Sequence, residues 1–285
     1  MDTGLYDSID ECVRKCFGED VRIIRKSRVG GGDINDSFCL NLSNDEDIFV
    51  KTNTERNFSF FEAEETGISA IASTGAIGTP GLLGKGVDRT EHVSFLMMEM
   101  IPRCNKVKDY FPIFGRELAN MHLKDTTAFV PGGNYGFISD NFIGASRQIN
   151  TPRDTWIDFF RECRLVPQLT KAEGYFERDM VKSEAKLLDK LDSILIEPQK
   201  PSLLHGDLWS GNSITGKDGK AWLIDPAVYV GHAEADLAMT ELFGRLPNDF
   251  YAEYGSVYPM QEGYRDRKDL YNLYHMLNHL NLFGR

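Results

Sequence analysis

The sequence has no long hydrophobic run and no leader-like start. No stretch of eighteen consecutive apolar residues occurs in the 285-residue chain, and the best candidate, residues 93–101, is short and contains Glu99. A membrane-spanning helix needs about 20 predominantly apolar residues. The first five residues also lack the basic segment followed by an apolar one that marks a secretory signal. We therefore expect neither a membrane span nor a cleaved signal peptide.

Cysteine is scarce, and its placement argues against a disulfide framework. The five cysteines are odd in number, scattered along the chain and form no Cys-x-x-Cys pair. This usage is typical of reduced thiols in a cytoplasmic protein. Cys12 and Cys16 lie one helical turn apart and could share a metal ion. Because no further ligand residues lie nearby in the sequence, two packed thiols are favoured.

Basic residues are outnumbered by acidic ones. The chain has 32 Lys and Arg residues against 43 Asp and Glu residues, which gives a net charge of −11. An acidic surface repels phosphate backbones, so nucleic acid is not expected as a partner. Such a surface could favour cationic substrates, or it could simply keep the protein soluble. The hydrophobic content of 41% is that of an ordinary globular protein with a well-buried core.

Three oxygen-bearing side chains stand at the ends of two short apolar segments. Asp207 and Asn212 are separated by four residues, and Asp225 follows the apolar residues 221–224. In protein kinases a basic Asp and a metal-binding Asn have this separation. Asp207 is therefore the candidate catalytic base, and Asn212 and Asp225 are candidate ligands of Mg²⁺, which prefers oxygen. The alternative is a turn in which Asp207 and Asn212 only satisfy loop backbone groups.

A lysine and a glutamate upstream complete the parts that a kinase requires. Lys51 ends a predicted strand, and Glu64 lies thirteen residues later in the predicted helix that follows. Kinases hold the nucleotide phosphates with such a lysine, which is fixed by a carboxylate from that helix. Taken alone, the pair could be a surface lysine and a helix-face glutamate. Together with the later polar residues, it indicates a nucleotide-phosphate site.

The segment ahead of Lys51 is rich in glycine but does not form a Walker A motif. Gly30, Gly31 and Gly32 lie between two predicted strands, and Asn35 stands where G-x-G-x-x-G would place its third glycine. Glycines let backbone N–H groups approach phosphate oxygens, and they also make ordinary hairpin turns. We expect Gly31, Gly32 and Asn35 to contact the nucleotide.

Hydrophobic periodicity predicts a chain of two unequal parts. A small helix, a main helix at 58–73 and strands at 21–29, 37–42, 48–51, 81–87 and 93–98 are predicted before the connector at Ile101. Helices are then predicted at 111–124, 155–166, 178–194, 232–243 and 268–283, with short strands at 202–205 and 221–224.

This order predicts an α+β, two-lobed, protein-kinase-like fold. The N-terminal lobe, residues 1–100, is expected to be an antiparallel β-sheet with one main helix and to bind the nucleotide. The C-terminal lobe, residues 101–285, is expected to be larger, mainly helical, catalytic and acceptor-binding. Ligands are then expected in the cleft between the lobes.

At this level of detail the sequence resembles the fructosamine kinase (ketosamine-3-kinase) family over nearly its whole length. The most specific pieces are HGDLWSGN at 205–212, IDPAVY at 224–229 and GHAEADLAM at 231–239. Shorter matching pieces occur at residues 61–64, 118–122, 135–137, 141–144, 148–150 and 156–168.

The resemblance implies an aminoglycoside-phosphotransferase-like fold and ATP and Mg²⁺ as cofactors. It also implies phosphorylation of the 3-hydroxyl of a ketosamine, such as a fructosamine or ribulosamine, that is either free or attached to a protein lysine. The phosphorylated adduct is unstable and releases the amine, which is deglycation.

The resemblance also implies roles for individual residues. Asp207 matches the base, Asn212 and Asp225 match the magnesium ligands, and Lys51 and Glu64 match the nucleotide-phosphate pair. By position alone, Glu99 and Ile101 are expected to offer backbone groups to adenine. Two residues are assigned to the acceptor, Trp209 and His232. The Trp209 ring is expected to stack on the sugar, although a buried packing role is the alternative.

Other functions remain open from the sequence. A related kinase for another amine-bearing alcohol, such as an aminoglycoside or choline, is the main alternative. A serine/threonine protein kinase is disfavoured because Pro226-Ala227, not Phe-Gly, follows Asp225. A catalytically dead binding module would be expected to have lost one of the candidate residues, and all are present. A monomer or weak homodimer is expected.

Overall fold

The computed structural model describes residues 4–30 and 34–284. Its first part is a six-stranded sheet in the order β1-β5-β6-β4-β3-β2. The strands are β1 Gly4–Tyr6, β2 Ile23–Arg28, β3 Asp36–Leu42, β4 Asp47–Thr54, β5 Leu82–Asp88 and β6 Val93–Glu99. The neighbouring strands are antiparallel except at one edge, where β1 runs parallel to β5. The strands that were predicted pair antiparallel as expected, and the parallel strand β1 was not predicted.

Two helices cover the opposite faces of this sheet. Helix α1, Ile9–Phe17, begins at Ser8, whose side chain accepts a hydrogen bond from the N–H of Glu11. It packs on the face formed by Val50, Phe95 and Met97. Helix α2, Phe58–Ser73, has the predicted bounds and packs on the face that contains Leu96 and Met98. Successive residues of one strand thus face different helices, as the pleat of a strand requires.

The alternation of β4 determines where Lys51 points. In the register of the sheet Lys51 lies directly opposite Leu96, whose side chain packs under α2. Cross-strand partners project to the same face of a sheet. The lysine side chain is therefore directed toward α2, and only 7% of the residue is exposed.

The rest of the chain is mainly helical. The helices are α3 Tyr110–His122, α4 Trp156–Phe160, α5 Val166–Ala172, α6 Arg178–Ile194, α7 Glu234–Leu242, α8 Asn248–Val257 and α9 Tyr264–Phe283. A π-helical turn, Arg161–Leu165, joins α4 to α5, so the predicted helix at 155–166 continues beyond its predicted end. Helix α8 was not predicted. It begins after Pro247 and buries aromatic residues against α3.

Short strands between these helices form three two-stranded ladders. They are β7 Asn141–Ile143 with β8 Ser146–Gln148, β9 Ser202–Leu204 with β12 Tyr229–Gly231, and β10 Ser213–Thr215 with β11 Ala221–Leu223. β9 and β11 carry the predicted polar residues just beyond their ends. Within residues 4–30 and 34–284, no helix is both long and apolar enough to cross a membrane.

Candidate active site

The loop after β9 places Asp207 and Asn212 in contact. The N–H of Trp209 donates to the carbonyl of Asp207 at 3.1 Å, and the N–H of Asn212 donates to the carbonyl of Trp209 at 3.0 Å. These bonds close a tight turn. The side-chain amide of Asn212 then donates to the Asp207 carbonyl at 2.9 Å and to its carboxylate Oδ2 at 3.1 Å. The amide nitrogen is thereby used toward Asp207, so the amide oxygen lies on the other side of the group.

A glycine allows this loop to lie against the segment that follows Asp225. Gly206 has a φ of +80°, and a Cβ atom placed on it would lie 2.0 Å from the carbonyl oxygen of Ala227. Glycine alone adopts this conformation without strain and leaves room for the carbonyl. The N–H of Ala227 in turn donates to the carbonyl of His205 at 2.9 Å. The two segments are therefore in direct backbone contact.

The β10–β11 ladder brings Asp225 beside Asn212. Ser213 pairs with Leu223 in this ladder, and the N–H of Ile224 donates to the carbonyl of Asn212 at 3.1 Å. Asp225 itself has a φ of +54°, in the left-handed backbone region that residues other than glycine rarely adopt. Its side chain keeps 44% of its surface exposed. The carboxylate is thus available to a ligand.

Lys51 connects the sheet to this centre. Its Nζ lies 2.5 Å from Oε1 of Glu64 on α2 and also bonds Oδ1 of Asp225. The structure therefore brings together Lys51, Glu64, Asp207, Asn212 and Asp225, which the sequence had placed in one site.

The charges in this centre shift one another's protonation. Burial would lower the pKa of Lys51, but the carboxylates of Glu64 and Asp225 outweigh that effect and raise its pKa. Desolvation would likewise raise the pKa of Asp225, yet the ammonium of Lys51 holds it below its ordinary value. Removal from water raises the pKa of Asp207 to about 7. The hydrogen bond from Asn212 opposes this rise, and the nearby charges of Asp225 and Asp236 add to it.

A buried aspartate anchors the loop, and sequence reasoning assigned it no role. Asp236 on α7 accepts hydrogen bonds from the N–H of His205 at 2.7 Å and from the N–H of Gly206 at 2.9 Å. Its Oδ2 also lies 3.2 Å from Nε2 of His122, whose Nδ1 is 2.8 Å from the hydroxyl of Tyr254. The only signal for this anchor was its place within the segment 231–239.

Three further predicted nucleotide contacts, Asn35, Glu99 and Ile101, lie at or just beyond the ends of strands of the sheet. Asn35 precedes β3, and its side-chain oxygen accepts a 2.7 Å hydrogen bond from Asn53. Glu99 ends β6, where its N–H is already used by the carbonyl of Gly81, and Ile101 follows in the connector. Gly31 and Gly32 lie outside the described residues.

The two predicted acceptor residues have different surroundings. Trp209 is 39% exposed, and its ring makes an edge contact with Phe243 at 6.2 Å between centroids. A fully buried packing role is therefore excluded for Trp209. His232 is only 3% exposed and packs between the rings of Trp156 and Tyr271. The structure does not bring His232 to an open surface, because its ring fills the core.

An exposed row of rings continues from Trp209. Phe243 lies 6.1 Å from the ring of His279, which lies 4.7 Å from the ring of Phe283. Phe243 and Phe283 are 47% and 58% exposed. Exposed aromatic residues that adjoin one another are uncommon unless they contact a ligand or partner. We call Trp209, Phe243, His279 and Phe283 the aromatic row.

Sequence comparisons match this chain over nearly its whole length. The family model described as fructosamine kinase matches residues 5–285. A protein from Synechocystis sp. named a probable ketoamine kinase is 38% identical over 283 residues, covering 98% of this chain and 92% of its own length. The chloroplastic protein-ribulosamine 3-kinase of Arabidopsis thaliana is 37% identical over 281 residues, covering 94% of this chain and 80% of that protein.

Solved structures share the whole fold. A crystal structure assigned as a fructosamine-3-kinase from Haemophilus somnus superposes with a TM-score of 0.84 at 30% identity, covering 96% of this chain and 90% of that one. The macrolide 2'-phosphotransferase MphH of Brachybacterium faecium has a TM-score of 0.61 at 12% identity, with coverages of 98% and 94%. This second likeness concerns the fold alone. The predicted kinase-like α+β fold is confirmed.

Proposed function

The chain belongs to the fructosamine kinase family, and we propose that it uses ATP to phosphorylate the 3-hydroxyl of ketosamines. As a member of that family it is a kinase. The observation that carries the proposal is the convergence of Asp207, Asn212 and Asp225 with the ion pair of Lys51 and Glu64. The curated relatives named as ketoamine and ribulosamine kinases support the choice of acceptor.

The nucleotide is assigned to the sheet side of this centre. We propose that residues 1–100 form the nucleotide-binding lobe and that residues 101–285 form the catalytic and acceptor-binding lobe. Lys51, held by Glu64, would contact the phosphates. The glycine-rich segment with Asn35 would cover them, and the backbone of the connector at Glu99 and Ile101 would face adenine. Because the N–H of Glu99 is used by Gly81, its carbonyl is the group left for adenine.

The oxygen donors present fit a magnesium ion on the phosphates. Asn212 directs its amide nitrogen to Asp207, which leaves the amide oxygen for a cation, and the Asp225 carboxylate is partly exposed and held ionised by Lys51. Hard divalent cations take such oxygen ligands. Asn212 and Asp225 would hold the ion, which supplies neutralisation of charge on the transferring phosphoryl group.

Asp207 would act on the acceptor. Its carboxylate accepts the proton of the 3-hydroxyl while the hydroxyl oxygen bonds to the γ-phosphorus. The bond between that phosphorus and the β,γ-bridging oxygen breaks, and ADP leaves. Phosphoryl transfer relies mainly on positioning and charge neutralisation, so a carboxylate suffices as base. The 3-phosphate then decomposes and frees the amine, which completes deglycation.

The aromatic row is assigned to the acceptor. Trp209 lies between Asp207 and Asn212 in the chain, and its exposed ring offers a flat surface for the sugar. The protonated amine of a ketosamine is attracted to the faces of such rings. Phe243, His279 and Phe283 would then contact the substituent on the amine, such as a lysine side chain. We leave His232 out of this acceptor site because its ring is buried.

An acceptor panel tests this function against its main alternative. ATP consumption is measured with fructosyl-, ribulosyl- and erythrulosyl-lysine, free and within a peptide, beside aminoglycosides and choline. The Asp207→Asn protein serves as the blank. We expect turnover with ketosamines, and phosphate on the 3-oxygen by NMR, followed by release of free amine. Turnover with only aminoglycosides or choline would replace the proposal with a different alcohol kinase.

A further inference from the structure

The hairpin formed by β7 and β8 presents buried side-chain amides to the centre of the molecule. Asn141 in β7 pairs with Gln148 in β8, and Asn150 follows two residues later. The three residues are 4%, 2% and 1% exposed. Buried amides cost stability unless their donors and acceptors find partners. The partners of these amides therefore show what the hairpin holds in place.

Two of the amides bind consecutive backbone carbonyls just after Asp225. The side-chain nitrogen of Gln148 donates to the carbonyl of Ala227 at 2.9 Å, and that of Asn141 donates to the carbonyl of Val228 at 2.7 Å. The N–H of Ala227 is already bonded to the loop that carries Asp207. Residues 227 and 228 are thus held on one side by the catalytic loop and on the other by the hairpin.

Hydrogen bonds to the side-chain oxygens of Asn141 and Gln148 fix the orientation of both amides. The side-chain oxygen of Asn141 accepts from Gln148 at 2.8 Å and from Asn150 at 3.0 Å. The side-chain oxygen of Gln148 accepts from the hydroxyl of Tyr274 at 2.7 Å. The oxygen of Asn150 accepts from the guanidinium of Arg164 at 2.8 Å. Only the amide nitrogens can therefore face the carbonyls of residues 227 and 228.

The residue just before the held segment, Asp225, has a strained backbone conformation that needs support from its surroundings. Asp225 has a φ of +54°, and residues in this region persist when their surroundings fix them. On the opposite side the segment is covered by α2. A Cβ atom on Gly67 would lie 3.3 Å from Cγ of Pro226 and 3.2 Å from Cγ2 of Val228. The hairpin also reaches this helix, since the rings of Phe142 and Phe60 lie 4.1 Å apart.

We propose that Asn141 and Gln148 are positioning residues that hold Asp225 in its left-handed conformation and so set the magnesium-binding geometry. The inference rests on the proposed function in assigning Asp225 to magnesium. Neither residue touches the nucleotide or the acceptor in this assignment. They act through the carbonyls of Ala227 and Val228, which fix the chain immediately after the ligand.

The test removes the donors without changing side-chain size. Asn141→Leu and Gln148→Met are near-isosteric and cannot bond the carbonyls. Asn272→Leu is the matched control, because Asn272 is also buried and donates a 2.9 Å hydrogen bond to a backbone carbonyl, that of Ala238. Thermal unfolding of all three variants gives the loss of stability in each, and the readouts below are compared between variants with similar losses. Gln148→Ala, which removes the same donor without burying a charge, is the second variant.

Two readouts test whether Asn141 and Gln148 position Asp225. Hydrogen exchange of residues 227–230 should be about tenfold faster in the Asn141 and Gln148 variants and nearly unchanged in the control. The magnesium concentration that half-saturates ADP binding should rise about tenfold in the same variants. Equal effects in Asn272→Leu, or faster exchange without any change in magnesium dependence, would overturn the inference.

These readouts need no acceptor, so they separate the inference from the proposed function. If the wild-type protein phosphorylated no ketosamine, the proposed function would fail. The exchange and ADP-binding results would still show whether the two amides hold Asp225 in place.

Discussion

Nζ of Lys51 lies 2.5 Å from Oε1 of Glu64 and at the same time bonds the carboxylate of Asp225, 174 residues further along the chain. One ammonium therefore joins the sheet, helix α2 and the segment after β11. The same lobe contains a second strand-to-helix pair, Lys85 with Glu65. Because Glu64 and Glu65 are adjacent, the ion pair of Lys51 with Glu64 in the candidate site can be compared directly with the ion pair of Lys85 with Glu65 outside it.

We expect Glu64→Gln to weaken ATP use and Glu65→Gln to leave it nearly unchanged. Without the charge of Glu64, the ammonium of Lys51 would pair with Asp225 and bind the phosphates less well. The KM for ATP should therefore rise about tenfold. Steady-state kinetics with varied ATP measures this. Equal changes in both variants would show that the Glu64 pair has only a structural role.

Asp207→Asn and Asp225→Ala should separate chemistry from nucleotide binding. Asp207→Asn removes the base, so kcat should fall by about a hundredfold or more while ADP affinity in magnesium stays close to that of the wild type. Asp225→Ala removes a proposed magnesium ligand and should weaken that affinity itself. Calorimetric titration with ADP compares them. A comparable loss of affinity in Asp207→Asn would contradict the two assignments.

Substitutions in the aromatic row should affect the acceptor selectively. Trp209→Ala should raise the KM for ketosamines about tenfold and change that for ATP by less than about twofold. Phe243→Ala should have a smaller effect, which grows with the size of the group on the amine. Val181→Ala, at an exposed apolar residue of α6, is the control. An equal rise in both KM values for Trp209→Ala would indicate a packing role.

Acidification should destabilise the fold through buried histidines. Burial lowers the pKa of His275 to about 4 and that of His232 to about 3, whereas an unfolded histidine titrates near 6.5. Between these values the unfolded chain binds protons that the folded chain does not. The stability that neutral histidines provide is therefore complete above about pH 6.5 and decreases as the pH falls toward 4.

The variant His275→Phe tests this pH dependence. Its free energy of unfolding should depend less steeply on pH between about 4.5 and 6, by at most about 1.4 kcal/mol per pH unit, the contribution of one proton. Urea unfolding at several pH values measures the slope. His92→Gln is the control, because the side chain of His92 is 83% exposed. An unchanged slope in His275→Phe would contradict the assignment to His275.

Local patterns were sufficient to predict the elements that carry most of the centre. The apolar run at 48–50 and the helical spacing at 58–73 placed Lys51 at the end of a strand and Glu64 in the next helix, because both patterns are set by residues close in sequence. The spacing of Asp207 and Asn212 likewise reflects one tight turn. Each of these predictions used only the residues within a few positions of the side chain concerned.

Long-range contacts could not be read in the same way. β7 and β8 have three residues each, too few for a periodicity, and their amides bond residues 87 and 79 positions away. Helix α8 was missed because its Asn, Asp, Gly and aromatic residues have low intrinsic helix propensity, although Phe250, Tyr251 and Tyr254 lie on one buried face. His232 looked available in its motif, yet Trp156 and Tyr271 enclose it from distant helices.

The contact between Gly206 and the Ala227 carbonyl has a mechanical consequence. Backbone rests on backbone there, with no side chain in between to rotate aside. The loop that carries Asp207 and the segment that follows Asp225 are therefore expected to move together. Lys51 ties these two segments to the sheet, so a movement of the sheet away from them would have to break its bond to Asp225.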